Sequence, residues 1–118
     1  RSTDGGVTWT STSDGMHASY ARAVAFLGDN VLVSASDGPF ASRSAIYRGG
    51  ADGGPLTRMT DGLPEWLEGN VDTGCLAANS TRAALVDGSG ALWVSADGGS
   101  AWTQVGDGLR DATAVAIV

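Results

Sequence analysis

The side chains best suited to chemistry gather in one stretch, residues 61–73, which reads Asp61-Gly62-Leu63-Pro64-Glu65-Trp66-Leu67-Glu68-Gly69-Asn70-Val71-Asp72-Thr73. An indole beside carboxylates and an amide suits a saccharide, because the apolar ring face stacks on Trp66 while Glu65, Glu68, Asn70 and Asp72 bond the hydroxyls. Glu65 and Glu68 are also of the type that cleaves glycosidic bonds as an acid and base pair. Three positions apart in a loop, their separation cannot be read from the chain. A competing reading has Trp66 filling a gap in the packing while the acids stay solvated. A second enlarged stretch, residues 36–43, offers Asp37 and Arg43, and a third offers His17, Tyr20 and Arg22. His17 has no identifiable partner, so a plain surface histidine competes with an acid or base there.

What must position these groups is a repeat. Ser2-Thr3-Asp4-Gly5-Gly6-Val7-Thr8-Trp9 returns as Ser95-Ala96-Asp97-Gly98-Gly99-Ser100-Ala101-Trp102. A worn copy, Gly50-Ala51-Asp52-Gly53-Gly54-Pro55-Leu56-Thr57, lies between, so the motif aspartates are 48 and 45 residues apart. A period of that size signals one supersecondary unit used repeatedly, since a single unit cannot bury its own apolar faces. Nine or ten residues after each copy stands a second Asp-Gly pair, at Asp14-Gly15, Asp61-Gly62 and Asp107-Gly108. A variable loop and a small-apolar strand follow each pair: Ala23-Val24-Ala25-Phe26, Cys75-Leu76-Ala77-Ala78 and Ala114-Val115-Ala116-Ile117.

Turn residues bound two further strands before the next copy, 31–35 and 44–48 in one unit, 83–86 and 91–95 in the other. A fourth strand leaves each motif, at 56–59 and 101–105. Four short antiparallel strands in a repeat of this length predict an all-β fold, a partial β-propeller, because radial stacking protects sheet edges. The chain is expected to hold the end of one blade (1–12), two complete four-stranded blades (21–60 and 74–106) and the first strand of a fourth (113–118). The rest of the ring is expected from sequence outside this segment. Antiparallel order sends the loops around Trp66, Asp37 and His17 to one end of the blades. Tyr47 with Arg48 is expected at the other, motif-bearing end.

The pattern Ser-x-Asp-x-Gly-x-x-Trp, complete twice, resembles the Asp-box, or bacterial neuraminidase repeat, of sialidase-like propellers. The likeness runs over almost the whole chain. It implies structural roles for Ser2, Asp4, Gly6, Trp9, Ser95, Asp97, Gly99 and Trp102. A short carboxylate at a tight turn accepts backbone N–H groups, glycine takes positive φ, and the tryptophan anchors the hairpin. The middle copy has Gly50 and Thr57 where Ser and Trp belong. It is expected to keep only the turn chemistry of Asp52 and Gly54 and to be the least anchored corner. Relatives of this architecture include sortilin-like receptors, photosystem assembly factors and glycoside hydrolases, which implies an extracellular or periplasmic setting without excluding the cytoplasm.

Composition narrows the partners. Thirteen acids against seven arginines leave a net charge of -6, which repels phosphate backbones and anionic lipid, so neither nucleic acid nor membrane is an expected partner. No metal-ligand spacing and no cofactor motif occur, and the single cysteine, Cys75, reads as buried filler. Two functions from different classes remain open. One is a non-catalytic binding or scaffold segment for a glycan or protein ligand. The other is part of a sialidase-like or other glycoside hydrolase with its groove near Trp66.

Overall fold

The computed structural model describes residues 1–118 as an all-β chain of two antiparallel sheets without a helix. In the first sheet β1 (Tyr20–Leu27), β2 (Asn30–Ser36) and β3 (Arg43–Gly50) run side by side. The outer edge of β3 is covered in two pieces, β4 (Thr57–Arg58) and β5 (Leu67–Glu68). The second sheet has the order β6 (Leu76–Ala78), β7 (Ala83–Val86), β8 (Leu92–Ser95) and β9 (Thr103–Gly106).

The strand boundaries follow turn chemistry and the need to pair backbone groups. Gly28-Asp29 closes β1 on β2 in two residues, with Leu27 opposite Asn30. The split edge departs from the sequence expectation, in which residues 61–73 form one free connection. β3 extends to Arg43, beyond the reach of β4, so Arg43 and Ser44 pair instead with Glu68 and Leu67. The chain leaves the edge after Met59, whose N–H donates to the Ile46 carbonyl at 2.8 Å, and rejoins it at Leu67.

Alternation gives each sheet two different faces. Ala23, Leu27, Leu32 and Ile46 lie on the face of the first sheet that meets Leu76, Ala83, Leu85 and Trp102 of the second, in one cluster of 11 buried residues that also takes in Leu67, Val71 and Cys75. On the opposite face Ala35, Ala45 and Tyr47 are buried under Met16, Leu56 and Trp66, while Val24 and Phe26 stay open to solvent. A bulge at Ala21 to Ala23 frees the Ala23 N–H from the ladder. Ser34 replaces the lost partner: its hydroxyl accepts from Ala23 N–H (2.9 Å) and donates to the Val71 carbonyl (2.7 Å).

The chain ends pair sparsely. Residues 1–12 contain no strand, although Arg1 and Thr10 exchange two backbone bonds of 2.8 Å across their hairpin. Residues 113–118, expected as a strand, are not one: Val115 N–H donates to the Gly74 carbonyl at 2.8 Å, and no ladder forms. Val115 and Ile117 instead line an apolar groove with Ala84, Leu92 and Val94.

Candidate functional site: motif corners and the Trp66 cluster

The two complete motif copies build the same corner. At the third, Asp97 Oδ1 accepts from Ser95 Oγ (2.8 Å), Ser100 N–H (3.1 Å) and Ala101 N–H (3.0 Å). Ser95 Oγ in turn accepts from Gly99 N–H (3.0 Å), and Trp102 Nε1 donates to the Gly99 carbonyl (3.2 Å). At the first, Asp4 accepts from Ser2 Oγ (2.8 Å), Thr8 N–H (2.9 Å) and Thr8 Oγ1 (2.6 Å). Gly6 N–H reaches Ser2 Oγ at 2.8 Å, and Trp9 Nε1 the Gly6 carbonyl at 3.0 Å. Donors aimed at a carboxylate favour its charged form. The Thr8 hydroxyl and N–H, with Ser2, lower Asp4 to about 2, and the Ala101 N–H with Ser95 lowers Asp97.

The middle copy differs from the sequence expectation. Asp52 accepts no hydrogen bond, and the turn closes through Gly53 N–H on the Gly50 carbonyl (3.1 Å). Nor does Thr57 stand in for tryptophan, since it is exposed and pairs with Arg48 in the ladder. Leu56 takes the anchor position. Its N–H donates to the Asp14 carbonyl (2.9 Å) as that of Trp102 donates to the Asp61 carbonyl (3.0 Å). The following glycines repeat the match: a Cβ on Gly15 would strike the Leu56 carbonyl, and one on Gly62 the Trp102 carbonyl. The second Asp-Gly pair of one unit thus docks under the anchor of the next, a close approach that only glycine permits.

The sequence candidates fall into two groups. Asp72 and Tyr20 belong to the first, with Arg22 between them: Arg22 Nε bonds Asp72 Oδ1 at 2.7 Å, and Arg22 Nη1 donates to the Tyr20 hydroxyl at 3.2 Å. The ion pair is solvent-exposed, so it fixes position more than it stabilises. With Thr73 Oγ1 on the Arg22 carbonyl (2.6 Å), it ties β1 to the connection entering the second sheet.

The second group surrounds Trp66. The Arg43 and Arg58 guanidinium carbons lie 4.1 and 4.0 Å from its ring centroid. Arg58 also donates to the Glu65 carbonyl. His17 meets the indole edge-on at 4.8 Å, and its Nδ1 lies 2.5 Å from the buried Tyr47 hydroxyl, which also accepts His17 N–H at 3.1 Å. Desolvation lowers the His17 pKa first of all; the charge of Asp37 raises it, and those of Arg58 and Arg43 lower it. Asn70 Nδ2 reaches the Gly38 and Pro39 carbonyls at 3.2 and 3.1 Å, pinning the residue 36–43 loop against this region.

Arg58 and Tyr47 were not singled out from sequence. Tyr47 and Arg48 are neighbours in β3 but belong to opposite faces: alternation from Arg43 through Ala45 puts Tyr47 on the face that Trp66 covers, and the register sets Arg58 directly opposite it. That alternation was the available signal. Glu65 and Glu68 have exposed side chains that enter no hydrogen bond or ion pair, while the Glu68 carbonyl accepts Gly88 N–H (2.7 Å) from the second sheet. Cys75 is buried, and desolvation, then the Asp72 charge, raises its thiol pKa.

No protein-family model matches this chain. No curated protein sequence matches it either.

Proposed function

We propose that the chain is a segment of an Asp-box β-propeller acting as a non-catalytic binding or scaffold module, with its ligand face at the Trp66 cluster. The observation carrying this reading is the repeated junction: Asp61-Gly62 docks on Trp102 as Asp14-Gly15 docks on Leu56, so successive units join by one recurring contact. The motif carboxylates are spent on backbone donors, which suits scaffold rather than chemistry. A protein ligand fits better than a stacked sugar, because two guanidinium groups occupy the indole surface a pyranose would need.

The test is a hydrolysis assay of the protein against a broad glycan panel, run with Glu65→Gln and Glu68→Gln. No turnover is expected from any of the three. Turnover that falls at least tenfold in either variant, with folding intact, would replace this reading by the glycoside hydrolase. For the architecture, disruption of the junction must unfold the chain cooperatively. A Gly62 variant that melted only one sheet would count against it.

A further inference from the structure

The two joints between units are alike in backbone and unlike in one side chain. Past Gly15 and Gly62, Met16 and Leu63 hold matching places, and each packs on buried residues, Met16 on Ala35, Ala45 and Tyr47 and Leu63 on the core between the sheets. The next residue is His17 in one unit and Pro64 in the other. Tyr47 and Trp93 also hold matching places: Tyr47 pairs with Val33 and Val33 with Val24, as Trp93 pairs with Leu85 and Leu85 with Leu76. His17 bonds the Tyr47 hydroxyl through its backbone N–H (3.1 Å) and its Nδ1 (2.5 Å). The buried Trp93 Nε1 has no hydrogen-bond partner, and Pro64 has neither an N–H nor a polar side chain to offer. A joint of this kind therefore closes without such a link, and the His17–Tyr47 pair is an addition to it.

That addition carries most of the polar attachment of its connection. Three hydrogen bonds join residues 13–19 to distant parts of the chain: Leu56 N–H on the Asp14 carbonyl (2.9 Å) and the two at Tyr47. Tyr47 is 1% exposed, and its hydroxyl bonds nothing but His17, which itself lies open to solvent and to protons. A neutral ring can present Nδ1 as an acceptor, whereas in imidazolium both ring nitrogens are donors. The hydroxyl then faces two donors from one residue, and its own buried proton has no acceptor, which is costly. Charge acts in the same direction: Arg58 from β4 and Arg43 from β3 oppose a proton on His17, and only Asp37 from the residue 36–43 loop favours it. Glu65 and Glu68 on the Trp66 stretch and Asp14 on the connection itself are exposed, and none forms an ion pair with the imidazole.

We propose that the His17–Tyr47 pair is an acid-released latch: protonation of His17 parts the residue 13–19 connection from Tyr47 and opens the Asp14–Leu56 joint, while the Asp61–Trp102 joint stays closed. Release lifts Met16 and His17 from over Tyr47 and extends the open apolar surface of Val24 and Phe26 towards Ala35 and Ala45. Folding lowers the His17 pKa, so the latch is complete above the ordinary value of 6.5 and is lost as pH falls through the folded value. The device goes beyond the binding reading and is the same whatever the module binds.

The experiment is amide hydrogen exchange of the full chain by NMR, from pH 7.5 to one unit below the His17 midpoint, which the ring protons report in the same samples. The Leu56 N–H reads the first joint and the Trp102 N–H the second. Protection factors, corrected for the intrinsic exchange rate at each pH, are compared. That of Leu56 falls at least tenfold along the His17 titration curve, and that of Trp102 holds within twofold. In His17→Gln, which cannot take a charge, the Leu56 factor is the same at both ends of the range, and in Tyr47→Phe it is low at both. Asp37→Asn moves the Leu56 midpoint to lower pH together with that of His17. A Leu56 factor that stays constant while His17 titrates, that falls in step with that of Trp102, or that still falls in His17→Gln overturns the inference. Each of those results leaves the glycan-hydrolysis test and the Gly62 test untouched.

Discussion

At the scale of the residue, two tryptophans in equivalent positions are held by the same indole bond yet differ in burial. Trp102 is 3% exposed between the sheets, and Trp9 is 74% exposed at the first corner. Anchoring energy comes from what covers the ring, so Trp102→Ala costs about 3–5 kcal/mol by urea unfolding. Trp9→Ala costs under about 1 kcal/mol. Equal losses would mean that the corner bond, not burial, does the anchoring. Asp97→Asn lowers the urea midpoint and Asp52→Ala leaves it in place, since only Asp97 accepts donors. Proton linkage has a definite sign at both ordinary corners. The Asp4 and Asp97 pKa values are depressed on folding, so their stabilisation is complete above the ordinary value of 3.8 and is lost as pH falls, for Asp4 through about 2. His17 follows the same sign higher up: its folded value lies below 6.5, so stability rises with pH across that region. It is the only histidine, and its NMR titration reads directly. Arg58→Gln raises its pKa, and Asp37→Asn lowers it; a shift of either in the reverse direction would break the account of the cluster.

At the scale of the element, the glycine of the second Asp-Gly pair is a joint between units. Gly62 has φ of +76°, and a Cβ there meets the Trp102 backbone. Gly108 has φ of +74° with open space around it. Gly108→Ala therefore costs only the left-handed backbone penalty, about 1 kcal/mol, whereas Gly62→Ala costs about 2 kcal/mol or more because the joint must open as well. Thermal unfolding of the two variants measures the difference. The order of the strands was legible in the chain because turn residues and alternating apolar runs recur with it. Less legible was the edge of the first sheet, since the pairing of Leu67 with Ser44 depends on how far β3 outruns β4. The middle anchor was misplaced for a similar reason: nothing in Pro55-Leu56-Thr57 says that the turn is shorter there. Of the candidate site, Trp66, Arg43, Asp37 and His17 were found from loop composition, but Tyr47 and Arg58 lie within strands: alternation marks the face of Tyr47, and only the register brings in Arg58.

At the scale of the whole molecule, the two sheets share a single core of 11 residues, so they are expected to melt together. Coincident transitions by near-UV signal and by hydrogen exchange would show it, and separate ones would divide the chain into independent parts. The sheets also meet by unlike surfaces. The side of the first that carries Ala23, Leu32 and Ile46 receives the side of the second that carries Leu76, Leu85 and Trp102. What the first presents on its reverse is Val24 and Phe26, at 61% and 68% exposure, in the positions that Leu76 and Ala78 hold in the second. Such a contact has a polarity, like a plug with its socket on the far side. Growth by this contact is head-to-tail, so it yields either a closed circle or an unending filament, and never a twofold pair.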